Sequence, residues 1–202
     1  MRRFRRRAVL AAATVLPAAT GLAQPAAPAA VVEGFHAALL DAMRNARTLG
    51  PRGRERRLRP AMQAAFDLPA MTRIAVGPPW TGLAEDERQG LVSAFSDWVV
   101  ATYANRFDGY AGESFATGGE NALQNGDRLV RTQLLRPNDT PVQLNYLLRG
   151  GEGRWRVVDI YLAGTISELA SRRAEFTTLL REGGAERLTA ELRRRTAALL
   201  GG

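Results

Sequence analysis

Arg128–Leu135 (RLVRTQLL), Val142–Arg149 (VQLNYLLR) and Trp155–Leu162 (WRVVDIYL) are three short runs in which apolar and polar residues tend to alternate. A period of two is the pattern of a strand with a buried face. The runs are parted by Pro137-Asn138-Asp139 and by Gly150–Gly153, residues that turns require. Links this short join neighbours, which predicts an antiparallel meander. A further strand, Glu113–Thr117, precedes them, bounded by Gly118-Gly119 and followed by the turn Asn125-Gly126-Asp127. The last run places Trp155, Val157 and Tyr161 on one face and Val158, Ile160 and Leu162 on the other, so both of its faces should be covered.

Upstream of this sheet the period is helical. Val32, Phe35, Leu39 and Met43 form a stripe within Val31–Thr48, ended by Gly50-Pro51. A second helix is expected from Gly53 to Phe66, with Pro60 marking a boundary or kink. Asp67 is placed to cap Leu68–Val76, where Pro69 falls at a tolerated position near the start. After the turn Gly77-Pro78-Pro79-Trp80, a long helix begins at Thr81 or just beyond. Glu85, Asp86 and Glu87 suit its N-terminal dipole, and Leu91, Val92, Phe95, Trp98, Val99, Thr102 and Tyr103 form a wide apolar stripe. Two helices, Ser167–Arg181 and Ala185–Leu200, follow the sheet and are separated by Gly183-Gly184. The fold class is α+β: helices, a four-stranded antiparallel curved sheet, then helices. Helices laid over a curved sheet can leave an apolar cavity between the layers.

The chain of 202 residues has an apolar content of 46%, enough for one core. It contains no cysteine and one histidine, which excludes disulfides, thiolate metal sites and a thiol nucleophile, and makes a His-rich metal centre improbable. All 28 basic residues are arginine, a usage best read as compositional bias, and the net charge is +8. Five of these arginines crowd into Met1–Arg7; without them the balance is an ordinary +3. That basic start, the apolar stretch Ala8–Ala23 and the small residues at its end read as a cleavable export signal over 1–23. Cleavage would leave a Pro/Ala tether over 24–30 and a single domain over 31–202, in a periplasm with no ATP to use.

Catalytic motifs are lacking: no G-x-S-x-G, H-E-x-x-H, Walker lysine or G-x-G-x-x-G occurs. His36, beside Phe35, reads as structural or solvent-facing. Asp159 and Tyr161, two apart on one strand, lie about 7 Å apart on the same face. They are the only suggestive acid–base pair, and the alternative function they permit is turnover of a sterol-like or small apolar substrate. Basic charge is focused between Arg44 and Arg59, where seven arginines face one acid. Within it Arg54, Arg56 and Arg57 are the candidate surface for anionic headgroups or an acidic partner. The export signal and the lack of interleaved aromatics argue against nucleic acid.

An ordered set of residues resembles the MlaC / toluene-tolerance family. It comprises Phe66-Asp67-Leu68, Met71, Arg73, Gly77, Trp80, Phe95, Tyr103 and Tyr110, then Val157-Val158-Asp159-Ile160, Gly164, Arg172, Phe176 and Leu188. The likeness spans roughly 31–200. The run Gly164–Ala170 looks more like the HpnM branch, associated with hopanoid biosynthesis. The resemblance implies an NTF2-like body with an internal apolar cavity and no catalytic residues, cofactor or metal. It also implies a monomer that carries phospholipid or hopanoid-type lipid between an outer-membrane lipoprotein/porin complex and an inner-membrane ABC transporter. Residues that would line such a cavity are Trp98, Val99 and Tyr103 from the long helix and Leu68 and Ile74 before the turn. The sheet would add Val130, Leu134, Leu144, Tyr146, Val158 and Ile160. The competing reading is that this stripe is ordinary packed core, in an adaptor protein without a cavity.

Overall fold

The structure, a computed structural model, describes residues 26–151 and 153–201. The expected export signal over 1–23 lies outside them. Among the described residues no helix is long and apolar enough to cross a membrane.

The first helix, α1, runs Pro28–Arg44 with its proline in the first turn, where no backbone donor is needed. Pro28, Ala29 and Ala30, expected as tether, are therefore helical. The stripe Val32, Phe35, Leu39 and Met43 is buried, as the period demands, and so is His36. Asn45 alone separates α1 from α2, Ala46–Ala65. Gly50, at φ 61° and ψ 178°, kinks α2 just before Pro51, so the interruption falls there and not at Pro60. Asp67 caps α3, Leu68–Val76, accepting the Ala70 N–H at 2.9 Å. Pro78–Gly82 form a 3₁₀ turn. The long helix α4, Glu85–Arg106, starts with Glu87 accepting the Ala84 N–H at 2.8 Å.

Five strands, not four, form the antiparallel sheet in the order β1-β2-β3-β4-β5. β1 is Ser114–Ala122, longer than expected because Gly118 and Gly119 do not end it. They form a bulge, with Gly119 at φ 117°, and pairing with β2 resumes beyond. β2 is Arg128–Leu135, β3 Val142–Gly151 and β4 Arg154–Leu162. The added strand, β5, is only Ile166–Ser167, folded back on β4 through a turn with Ala163 and Gly164 at positive φ. Two residues are too few to leave a period in the sequence. α5, Glu168–Leu200, is capped by Ser167 and breaks at Gly183-Gly184, matching the two expected helices.

Register sets which side chains share a face. Leu134 pairs with Val142, Thr132 with Leu144 and thence Leu162, and Val130 with Tyr146 and thence Ile160. These rows face the helices. α4 packs on α5, α1 on α2, and α3 sits against α4, α5 and β4. At one end of the face the Phe35 ring meets Phe66 at 4.7 Å, Tyr103 at 5.4 Å and Tyr146 at 6.4 Å between centroids, mostly edge to face. Tyr146 and Val130 are wholly enclosed there.

Candidate functional site

Toward the other end the layers part. Between α4, α5 and the sheet lies a cavity of about 570 Å³, within the range of small-molecule sites. One wall is a single helical stripe of α4: Phe95, Trp98, Val99, Thr102, Tyr103 and Arg106. The facing wall is the sheet, with Leu134, Val142, Leu144, Ile160 and Leu162. Met71 of α3, Phe107, Ala163 and the first turns of α5 (Glu168, Leu169, Arg172) complete it. The lining thus favours an apolar guest.

Charge is confined to one side of the lining. Glu168 sits between two guanidinium groups, with Arg106 Nη1 3.2 Å from Oε1 and Arg172 Nη2 3.7 Å from Oε2. The Arg172 guanidinium also lies over the Trp98 ring, 5.2 Å from its centroid. Its Nε is buried without a hydrogen-bond partner. The Tyr103 phenol is held neutral far above its ordinary range, chiefly because burial disfavours the phenolate.

Of the expected lining, the cavity brings together Trp98, Val99, Tyr103, Leu134, Leu144 and Ile160. Five others lie elsewhere. Leu68 is buried in the core, and Ile74 packs against that core with its carbonyl accepting from Arg173. Val130 and Tyr146 share the correct face but sit at its filled end. Val158 is displaced by a bulge: Leu147 pairs with Asp159 and Leu148 with Val157, so simple alternation fails at Val158. Phe95 and Thr102 were legible as members of the α4 stripe. Arg106, Glu168 and Arg172 carry no apolar signal, and only the tertiary fold gathers them.

The candidate surface arginines divide. Arg54 is buried, and its guanidinium donates to the carbonyls of Ala104 at 2.7 Å and Ala46 at 3.2 Å. It is a tie between helices and not a surface. Arg57 is exposed but paired with Asp41 at 2.7 Å, and Arg56 is exposed.

Asp159 is structural. Its Oδ1 accepts from the N–H groups of Ile160 at 2.8 Å and Leu169 at 3.4 Å, and its Oδ2 from the Ser167 hydroxyl at 2.5 Å. It fastens β4 to the start of α5 and is not part of the cavity lining. His36 is structural too: its Nε2 is 3.0 Å from the Tyr146 hydroxyl, its ring stacks on Phe115 at 3.9 Å, and burial holds its pKa at about 4.

An antiparallel sheet covered by helices, with an apolar hollow between the layers, defines a small α+β domain with a binding-sized cavity. The chain belongs to the MlaC protein family, whose model matches residues 33–194. It is also similar in fold to the phospholipid-binding protein of Ralstonia solanacearum, solved in complex with a phospholipid. That match has a TM-score of 0.75 and 22% identity, and covers 86% of this chain and 99% of the other.

Proposed function

We propose that this protein is a lipid carrier: it holds the acyl chains of a phospholipid or hopanoid-type lipid in the cavity between α4 and the sheet. The observation that carries the reading is the cavity itself, walled on both sides by apolar side chains, with its charged groups gathered around Glu168. Burying a methylene gains ~0.8 kcal/mol, so about thirty of them hold a two-chain lipid in a bilayer with roughly 25 kcal/mol. Crossing an aqueous gap requires a protein that replaces the bilayer. An export signal over 1–23, as read from the sequence, would suit work in a periplasm. Family membership and the phospholipid seen in the Ralstonia protein support a binding and transport role. The shuttle would run between an outer-membrane complex and an inner-membrane ABC transporter, without catalysis or a cofactor of its own. The run Gly164–Ala170 is the ground for including hopanoid-type lipids.

Organic extraction of the purified protein followed by mass spectrometry tests this, with co-purified lipid expected. Leu144→Trp with Ile160→Trp fills the cavity and should displace that lipid while the circular dichroism stays native. A wild-type extract free of lipid, together with failure to take lipid from vesicles, would overturn the reading. Global unfolding of the double variant would instead favour a packed core at those positions.

A further inference from the structure

Some polar groups on the wall of the apolar cavity already have partners. The Thr102 hydroxyl donates to the Trp98 carbonyl at 2.8 Å, and Arg106 donates to Glu168 at 3.2 Å. Arg172 and Tyr103 have none. Among the described residues Arg172 makes no hydrogen bond: its Nη2 stands 3.7 Å from Glu168, beyond hydrogen-bond reach, and its Nε is buried without an acceptor. The nearby Glu175 carboxylate is taken by Arg195. The Tyr103 hydroxyl likewise makes no hydrogen bond among the described residues, and the phenol, kept neutral by burial, remains a donor.

The two donors border one carboxylate. Glu168 lies beside Arg172, and its charge is felt by the Tyr103 phenol. The Arg172 guanidinium covers Trp98, and Tyr103 follows Trp98 on α4 by five residues, about 7.5 Å of helix rise. A donor taken out of water without an acceptor loses its hydration and gains nothing in return. Two such donors on a wall otherwise made of hydrocarbon fit a guest that brings acceptor oxygens of its own. We infer that Arg172 and Tyr103 hold the oxygen-bearing head of an acyl chain, through a phosphate or an ester oxygen, so that the cargo is an acyl lipid and not a bare hopanoid hydrocarbon. The inference rests on the carrier reading and narrows its cargo.

The test loads delipidated full-length protein from dipalmitoylphosphatidylglycerol vesicles carrying dipalmitoylglycerol and hopene in equal amounts. Dipalmitoylglycerol has ester oxygens and no phosphate; hopene, a bare hydrocarbon, has neither. Bound lipid is quantified by mass spectrometry, relative to each lipid's share of the vesicle. The wild type should enrich acyl lipid over hopene. Arg172→Met should lower that ratio about tenfold, the worth of a charge-assisted hydrogen bond, and Tyr103→Phe about threefold, that of a neutral one. Tyr103→Phe keeps the ring against Phe35, Phe66 and Phe107, so it reports even where Arg172→Met fails to fold. A fall in both acyl lipids places an ester oxygen at the donors, and a fall in phosphatidylglycerol alone places phosphate there; either supports the inference. Arg181→Met removes a charge from an exposed position of α5 outside the lining and should leave the ratio unchanged. An unchanged ratio in either folded cavity variant, an equal fall in Arg181→Met, or a wild type that takes hopene in preference would overturn the inference and leave the carrier reading intact. Uptake of no lipid at all would defeat the carrier reading, and this inference with it.

Discussion

The two ends of one sheet face behave differently, although both are made of the same residue types. At the filled end, Val130 and Tyr146 lie beneath Phe35 and Phe66 and have lost essentially all solvent exposure. At the hollow end, Leu134, Val142, Leu144 and Leu162 are only half-buried and face a space. Alternation places both sets on the helix side, and so cannot tell them apart. What separates them is the overlying layer: aromatic rings from α1 and the α2–α3 junction fill one end, while the α4 stripe stands off from the other. Core and cavity are one pattern, divided by what lies across from it.

The largest expected effect contrasts these ends directly. Phe35→Ala should cost ~3–5 kcal/mol, because the ring is enclosed by Phe66, Tyr103 and Tyr146 and leaves a void that cannot collapse. Leu144→Ala removes fewer contacts beside a space already present and should cost about 1 kcal/mol or less. Urea denaturation of the lipid-free proteins measures both, and equal losses would erase the distinction between the two ends.

The filled end should also respond to pH through His36. Burial lowers its pKa to about 4, against ~6.5 in the unfolded chain. The unfolded state therefore takes up the proton first. Stability is complete above pH ~6.5 and falls as pH drops toward 4, by about 2 kcal/mol between pH 7.5 and 5. Glu191, Glu175 and Asp127 are held below their ordinary range by arginine partners, so their contributions disappear at lower pH. His36→Phe keeps a ring on Phe115, gives up the bond to Tyr146, and should flatten the curve over pH 7.5 to 5. Persistence of the slope in that variant would place its source elsewhere.

The contrast also explains what was legible in the sequence. Helices and long strands announce themselves by period, and Asp67 by its position before Leu68-Pro69. The short β5, the bulge at Gly118-Gly119 and the bulge at Val158 leave no such trace, because each interrupts a period and does not establish one. The site was half legible for the same reason. Trp98, Val99 and Tyr103 follow from the α4 stripe, and Leu134, Leu144 and Ile160 from alternation. Assigning Val130 or Tyr146 to core and not cavity needs the positions of Phe35 and Phe66, which come from distant parts of the chain. Arg54 misled most: within a run of arginines nothing marks the one that is buried.

Arg54 and Arg172 sharpen the comparison further, as one arginine at a filled site and one at the hollow. Arg54 donates to the Ala104 carbonyl in the last turn of α4, a group the helix itself leaves without a partner, and to Ala46 just before the kink in α2. Replacing it by Met removes charge-assisted bonds and strands a buried acceptor, at an expected cost of about 2–3 kcal/mol. Arg172 differs in one decisive respect: its buried Nε has no acceptor, so its desolvation is uncompensated. Arg172→Met keeps an unbranched chain whose sulfur can pack on Trp98 in place of the guanidinium, and gives up that cation–π contact and a 3.7 Å ion pair to Glu168, a group that Arg106 still holds. The stability of the lipid-free protein should then stay within ~0.5 kcal/mol of wild type, or rise slightly. A polar group kept at the cavity wall without stabilising the fold is what a site for an incoming acceptor requires. A loss for Arg172→Met as large as that for Arg54→Met would instead make it a strut like Arg54.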